Sequence, residues 1–181
     1  MSPLAMSDTY LLDTCMLPYL FDDTPPDEAD TQTLRFRARL SAVEGASLLI
    51  CAVTLGEVEF GLRVAPLSDE GKQQKVRNAL ARFKVIVPLT KDTACPCYAQ
   101  MKADVFRKYA PASKKHKKRA KILIDELAHP TSGRELTIQE NDLWVACVAL
   151  QYDFVLVSAD GDMQRIQSVC SDPLRLENWL E

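Results

Sequence analysis

Histidine is scarce in this chain of 181 residues: there are two, His116 and His129. With so few, no convincing Ser/His or Cys/His arrangement exists for side-chain nucleophilic catalysis. A structural zinc site is disfavoured too. Cys95 and Cys97 flank a single Pro96, which is tighter than the spacing zinc ligand pairs use. Long apolar runs are also missing, and none approaches the ~20 residues that a membrane span needs. The N-terminal MSPLAMSDTY has neither the basic start nor the long apolar core of a signal peptide. A soluble, cytoplasmic protein without a membrane partner is expected. Internal repeats are absent, and at this length a single domain over residues 1–181 is expected. The six cysteines, Cys15, Cys51, Cys95, Cys97, Cys147 and Cys170, fall mostly inside apolar segments. Reduced, buried thiols follow more readily than a disulfide framework.

Charge is unevenly spread. Net charge is −3, yet Arg107, Lys108, Lys114, Lys115, Lys117, Lys118, Arg119 and Lys121 cluster in a segment with no acid, whereas residues 8–30 hold seven acids and no base. An acidic body with one basic arm suits a polyanion such as RNA; a solvated surface loop is the alternative. Pro111 and the Pro130–Gly133 stretch bracket the segment after the first basic pair. The basic inserted arm is therefore placed at about residues 107–132.

Short apolar runs alternate with helical segments. Thr9–Thr14, Ser47–Val53, Val85–Leu89 and Phe154–Asp160 read as buried strands, and LRLENW near the C-terminus as an edge strand. Helices are expected over about Pro26–Glu44, Thr54–Ala65, Asp69–Lys84, Lys91–Tyr109 and Gln139–Gln151. The alternation predicts an α/β fold with a mainly parallel central sheet flanked by helices. Ligands of such sheets sit at the carboxyl ends of the strands.

Several acids fall there. Asp13 closes the first strand and Asp160 the fourth, while Glu57 lies early in the helix after Ser47–Val53. Asp142 stands in the first turn of a helix that is apolar from Leu143 to Leu150, where capping alone would favour a carboxylate. Four acids at one edge repel one another by up to about 4 kcal/mol per close pair. A hard cation such as Mg²⁺ or Mn²⁺, bound through oxygen, relieves that repulsion.

The segments LLDTCMLPYLF, VTLGEVEFGL, ENDLWVACVAL and LVSADGDM, in this order, resemble the four acidic blocks of PIN domains, particularly VapC-type toxins of toxin-antitoxin systems. The resemblance covers nearly the whole chain and implies a three-layer PIN-like fold. It implies a metal-dependent endoribonuclease in which Asp13, Glu57, Asp142 and Asp160 are catalytic and hold Mg²⁺ or Mn²⁺, with Asp162 as a fifth acid. Thr14, Thr54, Asn141 and Ser158 match supporting positions of such sites. Hydrolysis of this kind leaves 5′-phosphate and 3′-hydroxyl ends. A small antitoxin and a homodimer are implied as partners. Two positions depart from the family pattern: Cys15 replaces a frequent asparagine, and Pro18 interrupts what is usually a regular first helix. An inactive PIN-like module that binds RNA or protein is the alternative, although no core acid is missing. A phosphotransfer domain built on Asp13 is disfavoured, because the position two residues on is Cys15.

Overall fold

Five apolar runs, too short to be stable alone, lie side by side in one parallel sheet. The computed structural model describes residues 8–65, 70–110, 124, 127–128, 132–133 and 135–181. The strands are β1 (Thr9–Leu12), β2 (Ser47–Cys51), β3 (Ile86–Val87), β4 (Val155–Val157) and β5 (Leu176–Glu177), in the order β3-β2-β1-β4-β5. Tyr10 stands opposite both Leu48 and Val155, which makes β1 the centre of the sheet. Every residue of β4 is buried, as a parallel sheet covered on both faces requires.

Side chains alternate along a strand, so the sheet feeds two cores. Leu11, Cys51 and Leu156 enter one, with Val105, Leu143 and Met163. Tyr10, Leu12, Ile50, Val155 and Val157 enter the other, with Phe36, Leu80 and Trp179. Helices α1 (Leu17–Phe21), α2 (Thr31–Ala42) and α4 (Glu70–Leu80) cover the second core. The first is covered by α5 (Ala99–Tyr109), α6 (Glu140–Gln151) and α7 (Gly161–Val169). Helix α3 (Ala52–Val64) serves both, with Val53 on one side and Leu55 and Val58 on the other. The fold is thus the expected three-layer α/β arrangement. Trp179, fully buried beyond β5, packs against Tyr10 and Phe36 with ring centroids 5.2 and 5.5 Å away. Burial of a side chain this large contributes about 3 kcal/mol.

Element boundaries differ from the sequence pattern for local reasons. Helix α2 starts at Thr31 and not near Pro26, because Asp30 accepts the Thr33 N–H at 2.8 Å and caps it there. The expected Lys91–Tyr109 helix is two pieces. Thr93–Tyr98 forms a separate wide turn around Pro96, in which Cys95 is extended (φ −146°, ψ 117°). Proline supplies no N–H to a continuous helix there. Pro18 breaks nothing: it stands in the first turn of α1, where its missing N–H is no loss. Helices α1 and α7 are both absent from the helices the sequence pattern predicts. Of the cysteines, Cys51 and Cys147 are buried, Cys15, Cys97 and Cys170 half-buried and Cys95 exposed; all six are free thiols. In the basic arm, Arg107 and Lys108 end α5, and Arg107 pairs with Asp104. Lys114, Lys115, Lys117, Lys118, Arg119 and Lys121 lie outside the described residues. Among the described residues no helix is long and apolar enough to cross a membrane.

Candidate active site

Asp13 and Asp160 lie just beyond the carboxyl ends of β1 and β4, Glu57 in the helix that follows β2, and Asp142 in the first turn of α6. Asp13 leaves β1 with its N–H still donating to the Val157 carbonyl at 3.0 Å, so it is fixed to β4 before its side chain is considered. Its carboxylate is buried and held on both oxygens: Oδ1 accepts the Thr14 N–H at 2.7 Å, and Oδ2 accepts the Ser158 hydroxyl at 2.7 Å and the Cys15 thiol at 3.3 Å. Ser158 Oγ in turn accepts the Asp160 N–H at 3.0 Å. One hydroxyl thereby joins the two strand-end aspartates. Burial pushes the Asp13 carboxyl above its usual range and the Glu57 charge adds to the rise, against the pull of Ser158, Cys15 and Thr14. Burial, then the neighbouring Asp13 charge, pushes the Cys15 thiol up to about 11, so it acts as a donor and not as a thiolate.

Glu57 arrives from α3 and is clamped. The Thr14 hydroxyl donates to its Oε2, and the Asn141 amide donates to its Oε1 at 2.9 Å. Helices α3 and α6 are thus tied across the site by one carboxylate. Glu59, two residues on, faces elsewhere and pairs with Arg63 and Arg77. Thr54 stays out of the network: its buried hydroxyl lies 3.5 Å from Cys51 Sγ.

Asp142 has two roles at once. Its Oδ2 accepts the Gln139 N–H at 2.6 Å, completing a capping box at the start of α6. Its carboxyl is nevertheless raised to about 7, first by burial and then by the charges of Asp160, Asp13 and Asp162, which outweigh the Gln139 bond. Asp13 comes from the end of β1 and Asp160 and Asp162 from the start of α7, so two separate segments bring like charge to Asp142. Asp160 is exposed and caps α7, accepting the Asp162 N–H at 2.8 Å. Asp162 is buried, and both of its oxygens are engaged, by the Thr137 hydroxyl and by Arg165.

Among the described residues no three His, Cys, Asp or Glu side chains close around one point as an ion cage. The donor set still fits a hard divalent cation in its chemistry. It is all oxygen, carries one sign of charge, and includes a carboxyl that burial first, and like-charged neighbours after it, push toward neutrality. Beside Thr14 opens a mainly apolar groove of about 460 Å³, lined by Leu17, Pro18, Phe21, Val58 and Leu62, with Lys72 and Lys75 at its side. The sequence singles out none of Thr137, Gln139 and Arg165, and marks Cys15 only as a departure from the family pattern. Gln139 and Asp142 have capping-box spacing, and Arg165 stands three residues after Asp162 on one helix face, so both were readable. Nothing local marks Thr137.

The PIN domain family model matches residues 10–169. Solved structures share the fold at low identity. DNA-bound VapBC from Salmonella typhimurium is 18% identical over 94% of this chain and 98% of that one, with a TM-score of 0.62. VapBC2 from Rickettsia felis, bound to a DNA fragment from its promoter, is 19% identical over 94% and 98%, with a TM-score of 0.60. VapBC-5 from Mycobacterium tuberculosis, of the VapBC family of toxin-antitoxin systems, is 17% identical over 94% and 97%, with a TM-score of 0.56. No curated protein sequence matches the chain. Because the family model spans almost the entire sheet and every block that supplies an acid, the chain belongs to the PIN domain family.

Proposed function

We propose that the chain is an endoribonuclease that hydrolyses RNA phosphodiester bonds with Mg²⁺ or Mn²⁺, and that it is the toxin of a toxin-antitoxin pair. The observation that carries the reading is the gathering of acids around Asp142, whose carboxyl is raised to about 7 by burial first and then by the charges of Asp160, Asp13 and Asp162. A surface that assembles such repulsion from three separate segments is suited to a cation and to the phosphate it brings. A divalent ion bound there supplies Lewis-acid polarisation of the phosphodiester and an acidified water.

Asp13, Glu57, Asp142 and Asp160 are the residues that hold it in this reading. Ser158 and Thr14 keep Asp13 in place, Thr14 and Asn141 fix Glu57, and Gln139 leaves Asp142 Oδ1 for a ligand. Asp162 ranks behind them, because Thr137 and Arg165 already occupy its oxygens. The toxin role is supported by PIN membership and by neighbours whose names place them in VapBC systems. A small antitoxin protein and a second copy of the chain are the partners this role brings.

The experiment is cleavage of RNA by purified protein. Activity is expected with Mg²⁺ or Mn²⁺, with 5′-phosphate and 3′-hydroxyl products, and it should stop in excess chelator. Cleavage that continues unchanged in chelator would falsify the metal mechanism.

A further inference from the structure

The hydrogen bonds among the acids form two arms that start at Asp13. One runs through the Ser158 hydroxyl to the Asp160 N–H, and from the Asp160 carboxylate to the Asp162 N–H. The other runs through Thr14 to Glu57 and on to the Asn141 amide, beside which Asp142 accepts the Gln139 N–H. The arms meet again at their far ends. Thr137, an exposed residue two before Gln139, donates its hydroxyl to the buried carboxylate of Asp162. Among the described residues this is the one hydrogen bond that ties residues 135–151 to helix α7. In the resulting circuit Asp142 and Asp160 flank the closing bond. Each keeps one oxygen with no hydrogen bond among the described residues, Oδ1 of Asp142 and Oδ2 of Asp160.

We propose that Thr137 is a positioning residue of the metal site: by holding Asp162 it fixes where Asp142 stands relative to Asp160, and Asp162 is its anchor and not a ligand. The two acids repel, so their spacing needs a tie. Core packing through Leu143 and Met163 brings α6 and α7 together. The Thr137 bond fixes the residues that lead into α6, and these carry the Gln139 N–H onto Asp142 Oδ2. A threonine suits the task, because its branched side chain has few rotamers and its hydroxyl stays close to the backbone. Asp162 suits the anchor. Its other oxygen is held by Arg165, its own N–H donates to Asp160, and the side chain is buried. Removing a partner that orients a metal ligand changes metal affinity by about tenfold to a hundredfold. The inference rests on the metal-dependent reading above and adds to it a residue outside the four acidic blocks.

The test reads metal binding apart from cleavage. Mn²⁺ alone is titrated into the full chain without RNA, and the free ion is followed by electron paramagnetic resonance. Urea unfolding of the same proteins without divalent ions reads stability separately. Thr137→Val keeps the shape and removes the hydroxyl, so it should bind Mn²⁺ about tenfold more weakly than the parent, and Thr137→Ser should keep the parent's affinity. Thr137→Ala should show the same loss and serves where valine disturbs the fold. Asp162→Ala should weaken binding about as much as Thr137→Val, and the double variant no further, because all three break one bond. A far larger loss in Asp162→Ala makes Asp162 a ligand and overturns its role as anchor; losses that add overturn the route through Asp162. Equal Mn²⁺ affinity of Thr137→Val and the parent overturns the proposal even where the urea midpoint falls, since the bond then serves folding alone, and the metal reading stands without it. A parent that binds no Mn²⁺ removes the metal reading and this proposal with it. Mn²⁺ binding that depends on Thr137, in a chain that cleaves no RNA, supports the positioning role and removes the nuclease.

Discussion

Replacing Asp142 by asparagine removes a charge while leaving a cap. The asparagine carbonyl still accepts the Gln139 N–H now held at 2.6 Å, so the start of α6 is kept. What changes is the titration. In the folded chain the Asp142 carboxyl is raised to about 7 from an ordinary 3.8 by burial and like charges. Between those two values the folded state holds a proton that the unfolded state has released, so stability falls as pH rises through the window. From about pH 5 to pH 8 the loss is at most about 2 to 3 kcal/mol; water reaching a half-buried side chain brings it to about 1 kcal/mol. Asp142→Asn carries no such proton. Urea unfolding of both proteins without divalent ions should show them closest at pH 5, with the variant gaining by about 1 kcal/mol at pH 8. In a chain of this size that is about 2 to 4 °C in Tm. Added Mg²⁺ should then raise the parent's Tm more than the variant's, since a ligand stabilises only the state that binds it. A variant that loses 0.5 to 2 kcal/mol equally at both pH values, with identical Mg²⁺ shifts, would show Asp142 to be a cap and nothing more.

Two further outcomes are expected. Neutralising Lys114, Lys115, Lys117 and Lys118 should flatten the salt dependence of RNA binding by up to roughly 3 in slope, and an unchanged slope would take the basic run out of the RNA interface. Asp104, 7% exposed, accepts the Ser171 N–H and hydroxyl at 3.1 and 2.8 Å, Gln100 at 2.8 Å and Arg107 at 2.5 Å. Asp104→Ala strands those donors and should cost about 3 kcal/mol by thermal unfolding, without altering RNA cleavage by the folded fraction; a loss under about 1 kcal/mol would contradict this accounting.

Much of this arrangement was readable because it rests on short-range rules. Buried parallel strands read as continuous apolar runs, which is why Thr9–Leu12 and Val155–Val157 stood out. The carboxyl-end placement of Asp13 and Asp160 followed from those runs. What could not be read depended on partners far away in the chain. Thr137 reaches Asp162, and Asn141 reaches Glu57 across 84 positions, with nothing local to mark either pairing. Helix α7 escaped because its first turn, beginning Gly161-Asp162, looks like a loop until Asp160 is seen to cap it. The Lys91–Tyr109 segment misled in the opposite sense, since its composition is helical and only the backbone at Cys95 and Pro96 divides it.

The hydroxyl that joins Asp13 to Asp160 belongs to Ser158, 145 positions after Asp13. A contact of that separation cannot form on the ribosome until Ser158 has emerged. At about 5 to 20 residues per second, Asp13 waits about 7 to 30 seconds for it. During that interval β1 has no β4 beside it and Glu57 has no Asn141. The acidic cluster of a nascent chain is therefore assembled only after the segments that carry Asn141 and Ser158 have followed the first strands.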